Sequence, residues 1–135
     1  MAYKQQKEMK NKINYKVIIA GSRGFSNYKL LKETCDEFLK EKAKDKNIVI
    51  ISGGAKGADK AGEKYARDCG YDLEVYPANW NKYGKSAGFR RNEQMAEAAD
   101  AVIAFWNGES HGTKHMIDIA NEKKLEIRVV NYGKV

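Results

Sequence analysis

The chain has 135 residues, of which 42% are hydrophobic and 32% charged, and 25 Lys and Arg against 18 Asp and Glu give a formal net charge of +7. This length and composition are typical of one globular domain and exclude a collagen-like or intrinsically disordered chain. No apolar run approaches the roughly 18 residues of a membrane-spanning helix, and the lysine-rich N-terminus lacks the apolar stretch of a secretory signal, so we expect a cytoplasmic protein with no membrane partner.

The positive charge is concentrated at the N-terminus. The first twelve residues carry +3 of the net charge, from four lysines and one glutamate: Lys4, Lys7, Lys10, Lys12 and Glu8. They lack apolar periodicity, which predicts a basic flexible tail over residues 1–12 and one domain over residues 13–135. The remaining charge is spread over predicted helix faces that mix both signs, and this pattern favours a role in solubility over a nucleic-acid-binding surface.

Five short apolar runs along the chain predict β-strands. They cover residues 17–20, 48–51, 73–76, 101–106 and 127–130. Because these runs are rich in β-branched residues and alternate little, they are typical of strands buried on both faces, as in a parallel sheet.

Four stretches between the strands have the apolar spacing of helices. They cover about residues 28–42, 57–69, 87–99 and 112–123, and Gly70 follows the second of them as a C-terminal cap. Strands alternating with helices predict an α/β fold, a three-layer sandwich with a mainly parallel five-stranded sheet. Cys35 and Cys69 stand in different predicted helices without metal-ligand spacing, so we expect reduced thiols, with one disulfide as the alternative.

The connection from residue 77 to residue 85 is longer than most strand-to-helix loops and carries Trp80 and Tyr83. Because long loops are usually functional, we expect either a ligand contact or a contact in a homo-oligomer. The Trp80 ring suits stacking on a nucleobase, and core packing and a dimer contact are its alternatives. Trp106 ends a buried strand and is expected to pack against a helix.

Glycine-bearing turns follow three of the predicted strands, at residues 21–24, 52–57 and 107–113. The carboxyl ends of parallel strands meet at one edge of the sheet, and ligands bind there where the strand order reverses. Glycine allows backbone N–H groups at a helix N-terminus to approach an anion closely. The three turns therefore predict a site for a phosphate-bearing, nucleotide-like ligand.

Side chains in these turns add hydrogen-bond donors and positive charge. The predicted ligand-binding residues of the turns are Gly21, Ser22, Arg23, Ser52, Gly53, Gly54, Lys56, Gly57, Ser110, Gly112 and Thr113. An arginine offers phosphate a bidentate fork, whereas Ser110 has the alternative role of a helix N-cap. Neither the dinucleotide fingerprint nor the Walker pattern is present in correct form, which disfavours a dehydrogenase or an ATPase, and no cofactor is expected.

Four blocks of sequence resemble a known family. They are residues 20–25 (AGSRGF), 52–59 (SGGAKGAD), 88–95 (GFRRNEQM) and 112–118 (GTKHMID). In this order they are similar to the YspA-like branch of the SLOG superfamily, which also contains the SMF/DprA and LOG proteins, and the resemblance extends over about residues 15–130. It implies a Rossmann-like fold that binds nucleotides or nucleotide-derived signals, and an origin in bacteria or their phages.

The LOG proteins are phosphoribohydrolases that cut the N-glycosidic bond of a nucleoside monophosphate, and they allow a comparison by residue. Their R-K-x-x-M block is matched by Arg91, Asn92 and Met95, with asparagine replacing the lysine, and their G-G-x-G-T-x-x-E block is matched at Gly112 and Thr113. The glutamate of the second block is replaced by Met116. An oxocarbenium-like transition state needs a nearby carboxylate, so the resemblance implies phosphate binding more strongly than hydrolysis.

Two other carboxylates, Asp59 and Glu93, are the candidates for an acid or base in that reaction, with Arg91 beside them, whereas Asp118 would lie on another side of its helix. Asp59 has two further interpretations, as a partner of a helix dipole or as an acceptor for a ribose hydroxyl. Arg91 either contacts the ligand or pairs with a carboxylate on its helix. His111 and His115 are four residues apart, but no third ligand accompanies them and no metal is expected.

The sequence thus favours a domain that binds a nucleotide or a nucleotide-derived signal, an ADP-ribose-type compound included, and that senses or sequesters it. Arg23 and Arg91 would neutralise the phosphates while Trp80 or Tyr83 covers the base. One alternative is a phosphoribohydrolase-like enzyme. The other is single-stranded nucleic-acid binding assisted by the basic tail, for which affinity would fall steeply with salt.

Overall fold

The computed structural model describes residues 12–133, so the predicted tail lies outside the described residues except for Lys12. The elements are β1 (Asn14–Gly21), α1 (Tyr28–Leu39), α2 (Lys42–Asp45), β2 (Asn47–Ser52), α3 (Ala58–Cys69), β3 (Asp72–Val75), α4 (Trp80–Tyr83), a 3-10 turn (Gly84–Ser86), α5 (Ala87–Ala98), β4 (Ala101–Trp106), α6 (His111–Glu122) and β5 (Glu126–Asn131). The five predicted strands and four predicted helices are confirmed. Gly70 caps α3 with a φ of 71°, as its position indicated.

All five strands are parallel and lie in the order β3-β2-β1-β4-β5. The central strand β1 pairs with β2, where Val17 is aligned with Ile50, and with β4, where Ile19 is aligned with Ile103. The chain builds the sheet outward from β1 through β2 to β3, then returns to add β4 and β5 on the other side. The strand order therefore reverses between β1 and β4, and the predicted parallel α/β sandwich is confirmed.

Two apolar layers cover the faces of the sheet. Successive side chains of a strand point to opposite faces, so Val17 and Ile19 pack in one layer with α1 and α3, and Ile18 packs in the other with α5 and α6. Removing these side chains from water is the main driving force for folding. It also fixes two of the four helices on each face of the sheet.

The edge strands differ from the expectation that every strand is buried on both faces. The central strands β1, β2 and β4 are almost wholly buried, whereas Val75 of β3 and Val129 of β5 are 45% and 40% exposed. The expectation is wrong for β3 and β5 because each has a neighbouring strand on one side alone. An apolar run indicates a strand but does not reveal its place in the sheet.

The long connection after β3 contains local structure that the sequence did not indicate. It includes the single turn α4, whose N-cap Asn79 accepts the Lys82 N–H at 3.1 Å, and the following 3-10 turn. The Trp80 side chain is 52% exposed, which rules out the core-packing alternative for this residue. The indole of Trp106 packs beside α6 and donates a hydrogen bond to the Ser110 carbonyl oxygen at 3.0 Å.

Both cysteines are free thiols, Cys35 buried in α1 and Cys69 half-buried at the end of α3. None of the helices between residues 12 and 133 combines the length and the apolar character needed to cross a bilayer.

Candidate functional site

A cavity of about 450 Å³ opens at the carboxyl ends of β1 and β4. It lies between residues 21–24 after β1, the inner face of α5 and the first turn of α6. This volume falls in the usual range of small-molecule sites, about 300–1,000 Å³. The position is where ligands bind in open parallel sheets, because the strand order reverses there. We refer to it as the first cavity.

Two glycines bring the backbone segments around this cavity into direct contact. A Cβ on Gly21 would overlap the Phe105 carbonyl oxygen, and a Cβ on Gly57 would overlap the carbonyl oxygens of Ser22 and Arg23. Gly57 also has a φ of 81°, a conformation that L side chains rarely adopt. Both glycines therefore allow two backbone segments to pack closely against each other. Gly57 does not line the first cavity.

The Ser52 side chain is not available to a ligand. It is fully buried, where its hydroxyl donates to Glu63 Oε2 at 2.7 Å and accepts the Gly54 N–H at 3.0 Å. The Ala55 N–H donates to Asp59 Oδ2 at 3.2 Å, so a second donor of this turn is also used internally. The prediction that Ser52 contacts phosphate is wrong, because its partner Glu63 is a buried carboxylate that sequence reasoning missed. Nothing in the sequence distinguishes Glu63 from Asp68, the exposed carboxylate of the same helix, so no signal could have identified it.

The side chains of Arg91 and Asp59 both lie against the backbone of Gly53. The Arg91 guanidinium donates to the Gly53 carbonyl oxygen through Nη1 and to Asn92 Oδ1 through Nε at 3.0 Å. A Cβ on Gly53 would lie 2.5 Å from Arg91 Nη1 and 2.8 Å from Asp59 Oδ2, so the two side chains come this close because residue 53 has no side chain. Burial lowers the pKa of Arg91. Burial also raises the pKa of Asp59 to about 6, although the Ala55 N–H and the Arg91 charge oppose that rise.

Asn92 connects α5 to α6. Its side-chain amide donates to the Gly112 carbonyl oxygen at 3.2 Å and lies 3.3 Å from His115 Nδ1, while its oxygen accepts from Arg91. The residue is buried at the cavity wall. With its amide engaged in these contacts, Asn92 positions Arg91 and the first turn of α6 against each other.

The first turn of α6 faces the first cavity with little side-chain cover. Ser110 caps the helix, because its hydroxyl accepts the Thr113 N–H at 3.4 Å and lies 3.1 Å from Thr113 Oγ1. Asn107, which sequence reasoning missed, accepts the N–H groups of Glu109 and Ser110 at 2.8 Å each. A Cβ on Gly112 would meet no atom within 4 Å. The helix N-terminus thus presents open backbone to the cavity.

Cations gather around Trp80 at the rim. Arg23 and Lys85 line the first cavity with Arg91, and Lys56 lines an adjoining second cavity of about 570 Å³. Among the described residues none of these four cations forms an ion pair, whereas lysines on outer helix faces do, as Lys32 does with Asp36 at 2.8 Å. The expectation that the charge is spread evenly is therefore incomplete. These four residues are distant in sequence, and the fold brings them together.

The structure brings most of the predicted residues to the two cavities. The first cavity is lined by Gly21, Ser22, Arg23, Asp59, Trp80, Arg91, Asn92, Ser110, Gly112 and Thr113. The second cavity is lined by Gly53, Gly54 and Lys56, together with Arg23, Trp80 and Arg91. We refer to the two cavities together as the cleft. Glu93 is exposed and lies outside both cavities, so Asp59 is the carboxylate in the cleft.

The remaining side chains around α6 have structural surroundings. Met116 is buried in the second apolar layer and forms part of the floor of the first cavity. Asp118 is exposed and pairs with Lys114 at 2.9 Å. The His115 ring lies against Phe89, with ring centroids 4.3 Å apart. Within residues 12–133 no three His, Cys, Asp or Glu side chains are grouped so as to hold a metal ion.

An all-parallel sheet in this order, with a cation-lined cavity at its switch point, defines a Rossmann-like α/β domain. The chain belongs to the YspA, cpYpsA-related SLOG family (YAcAr), whose model matches residues 15–83. It is 39% identical over 92 residues to the Gene 61 protein of Mycobacterium phage D29, an alignment that covers 64% of this chain and 72% of the phage protein.

Two solved structures share the fold. DNA processing protein A (DprA) from Streptococcus pneumoniae superposes with a TM-score of 0.66 and 19% identity over 90% of this chain and 51% of the DprA chain. TM1055, a structural genomics target, superposes with a TM-score of 0.60 and 18% identity over 84% of this chain and 72% of TM1055. The chain thus spans about half the length of DprA.

Proposed function

We propose that this protein binds a nucleotide or a nucleotide-derived compound, the ADP-ribose type included, at the carboxyl edge of its sheet, and that it senses or sequesters this ligand. The observation that carries the proposal is the group of four cations around Trp80, none of which forms an ion pair within the described residues. Membership of the SLOG family supports a nucleotide-related role.

The charge balance of the cleft favours an anionic ligand. Arg91 is half-buried, and the nearby Arg23 charge adds to the burial that lowers its pKa. Asp59 is the one carboxyl group of the described residues that lines either cavity. A phosphate between the two guanidinium groups would accept charge-assisted hydrogen bonds, which are stronger than neutral ones. The open first turn of α6 adds backbone N–H groups on the same side.

The cleft also offers groups that can bind the base and the ribose of a nucleotide. The exposed Trp80 ring can stack on a base of any type, because each base has a π-face. The Asp59 carboxylate can accept hydrogen bonds from ribose hydroxyls, since Ala55 is the backbone donor it engages and its side chain lines the first cavity. Met116 and Met95 form an apolar floor that offers no catalytic group.

Hydrolysis of an N-glycosidic bond is the second candidate. It rests on Asp59, since a carboxyl group with a pKa of about 6 beside Arg91 can donate a proton to a leaving base near neutral pH. Against it stands Met116, which occupies the position of the carboxylate in the LOG proteins. If this reaction occurs, the wild type releases free base from a nucleotide and Asp59→Asn does not. If the protein is a binder, neither of them releases base.

The first experiment is mass spectrometry of small molecules released when the freshly purified protein is denatured. The comparison includes Arg23→Ala and, as the matched control, Arg67→Ala, which removes an exposed arginine of α3 that lines neither cavity. An intact nucleotide present in the wild type and in Arg67→Ala, but lost in Arg23→Ala, would support the proposal. A free base or a ribose phosphate would favour hydrolysis. The absence of any nucleotide, together with no binding in titrations of common nucleotides, would refute both.

Single-stranded nucleic acid is tested in parallel, because the cleft cations surround an exposed tryptophan. Binding to an oligonucleotide that weakens steeply between 50 and 200 mM salt and on removal of residues 1–12 would favour that function, since released counterions dominate such binding.

A further inference from the structure

We propose that the ligand has two arms joined through phosphate, with one arm in the first cavity, the other in the second cavity, and the bridging phosphates between Arg23 and Arg91. This inference rests on the proposed function and specifies the class of ligand. It separates a dinucleotide or nucleotide-sugar type of molecule from a mononucleotide.

The two cavities of the cleft adjoin each other. They share four lining residues, Arg23, Ala55, Trp80 and Arg91, and have volumes of about 450 and 570 Å³. Each volume alone lies within the usual range for a small-molecule site. A mononucleotide would occupy one of them, so its binding would leave the Lys56 side of the cleft unused.

The shared residues carry the charge that a bridging phosphate needs. The Arg91 guanidinium is held at the boundary by its hydrogen bond to the Gly53 carbonyl oxygen. Arg23 is near enough for its charge to lower the pKa of Arg91. Arg23 and Arg91 each line both cavities. Anionic charge is therefore best accommodated in the middle of the cleft, with groups of the ligand on either side.

The two ends of the cleft suit different groups. The first cavity has the Phe89 ring and the side chains of Met95 and Met116, which favour an apolar, planar group. The second has the backbone of Gly53 and Gly54, with Lys56 and Ala78 beside them, which favours a sugar with hydroxyl groups. Trp80 stands between the two ends and contributes to both.

The test compares probes of equal charge. AMP and diadenosine 5′,5′-diphosphate each carry about two negative charges at pH 7.5, so a difference in affinity reports the second arm. Isothermal titration is done with both, and with the corresponding guanosine pair. We expect the two-armed probe of the preferred base to bind at least tenfold more tightly than its mononucleotide.

Variants assign that gain to the second cavity. Ala78→Leu, which fills the second cavity without a change of charge, should reduce the gain to less than threefold, and Lys56→Ala should reduce it partly. Phe89→Ala should weaken both probes by the same factor, because Phe89 lines the first cavity alone. Lys44→Ala, which removes an exposed lysine of α2 that lines neither cavity, is the charge-matched control for Lys56→Ala and should leave both affinities unchanged.

The outcomes separate this inference from the proposed function. If a mononucleotide binds, but the two-armed probe binds no more tightly or Ala78→Leu leaves the gain intact, the two-armed ligand is refuted and nucleotide binding survives. If none of the four probes binds, and denaturation releases no nucleotide, the proposed function fails and this inference fails with it.

Discussion

Because the Arg91 and Asp59 side chains both lie against Gly53, Gly53→Ala is the sharpest single perturbation of the site. The backbone of Gly53 does not have a positive φ, so alanine is compatible with its conformation. The new Cβ would lie 2.5 Å from Arg91 Nη1, and the guanidinium would have to retreat by about 0.9 Å to reach the 3.4 Å of ordinary contact. That movement lengthens and weakens its hydrogen bond to the Gly53 carbonyl oxygen.

The size of the effect follows from the bond that is weakened. A hydrogen bond to a charged group contributes about 1.5–3 kcal/mol, and losing part of it should lower the free energy of unfolding by about 1 kcal/mol. Ligand affinity should fall by about tenfold or more, because about 1.4 kcal/mol corresponds to a factor of ten and the displaced guanidinium no longer faces the phosphate.

Urea denaturation and isothermal titration on the same samples measure the two effects. Gly70→Ala is the matched control: its φ of 71° is strained for alanine but its surroundings are open, so it should cost about 1 kcal/mol of stability and leave affinity unchanged. If Gly53→Ala retains both wild-type stability and wild-type affinity, the Arg91–Gly53 contact does not organise the site.

Three further variants test separate parts of the cleft. Because burial raises the pKa of Asp59 from 3.8 to about 6, the unfolded chain loses this proton before the folded one, and stability falls as the pH rises from about 4 to 6. Asp59→Asn cannot ionise, so its free energy of unfolding in urea should exceed that of the wild type by about 2 kcal/mol at pH 8, and most of this difference should be absent at pH 4. An equal difference at both pH values would contradict this. A Cβ on Gly112 meets no atom within 4 Å, so Gly112→Ala should preserve or slightly raise the melting temperature but weaken ligand binding. Unchanged titration curves would mean that the first turn of α6 does not contact the ligand. Trp80→Ala should lower affinity about tenfold with little change in the free energy of unfolding, while Trp80→Phe should retain most of the affinity; equal losses in both variants would argue against stacking.

The sequence predicts the fold well because the fold depends on local patterns. The apolar runs that form β1, β2 and β4 are short and rich in β-branched residues, which favours buried strands, and the helices between them show clear apolar spacing. The single turn α4 escapes such reasoning, because four residues are too few to show a period. The exposure of β3 and β5 also escapes it, since it depends on which strands end up at the edges.

The site is predicted in part. The glycine turns, Arg23 and Trp80 follow from their positions after strands, and Arg91 follows from the family resemblance. The burial of Ser52 could not be predicted, because it depends on Glu63 folding inward from the next helix. The grouping of the four cations around Trp80 could not be predicted either. Lys56 and Lys85 belong to different connections, and the three-dimensional path of the chain alone brings them beside Trp80.

The reversal of strand order has a consequence for the order in which this chain folds. Strands β1, β2 and β3 and their helices can associate through contacts between neighbours in sequence. The partnership of β1 with β4 must close a much longer loop, as the bond from the Lys16 N–H to Asp100 across 84 residues illustrates. Such non-local pairing is slow relative to local structure. During synthesis, β1 would therefore wait with one edge unpaired until β4 has left the ribosome. The first cavity does not exist before that moment, so the ligand cannot assist the early steps of folding. It binds the completed domain and stabilises it.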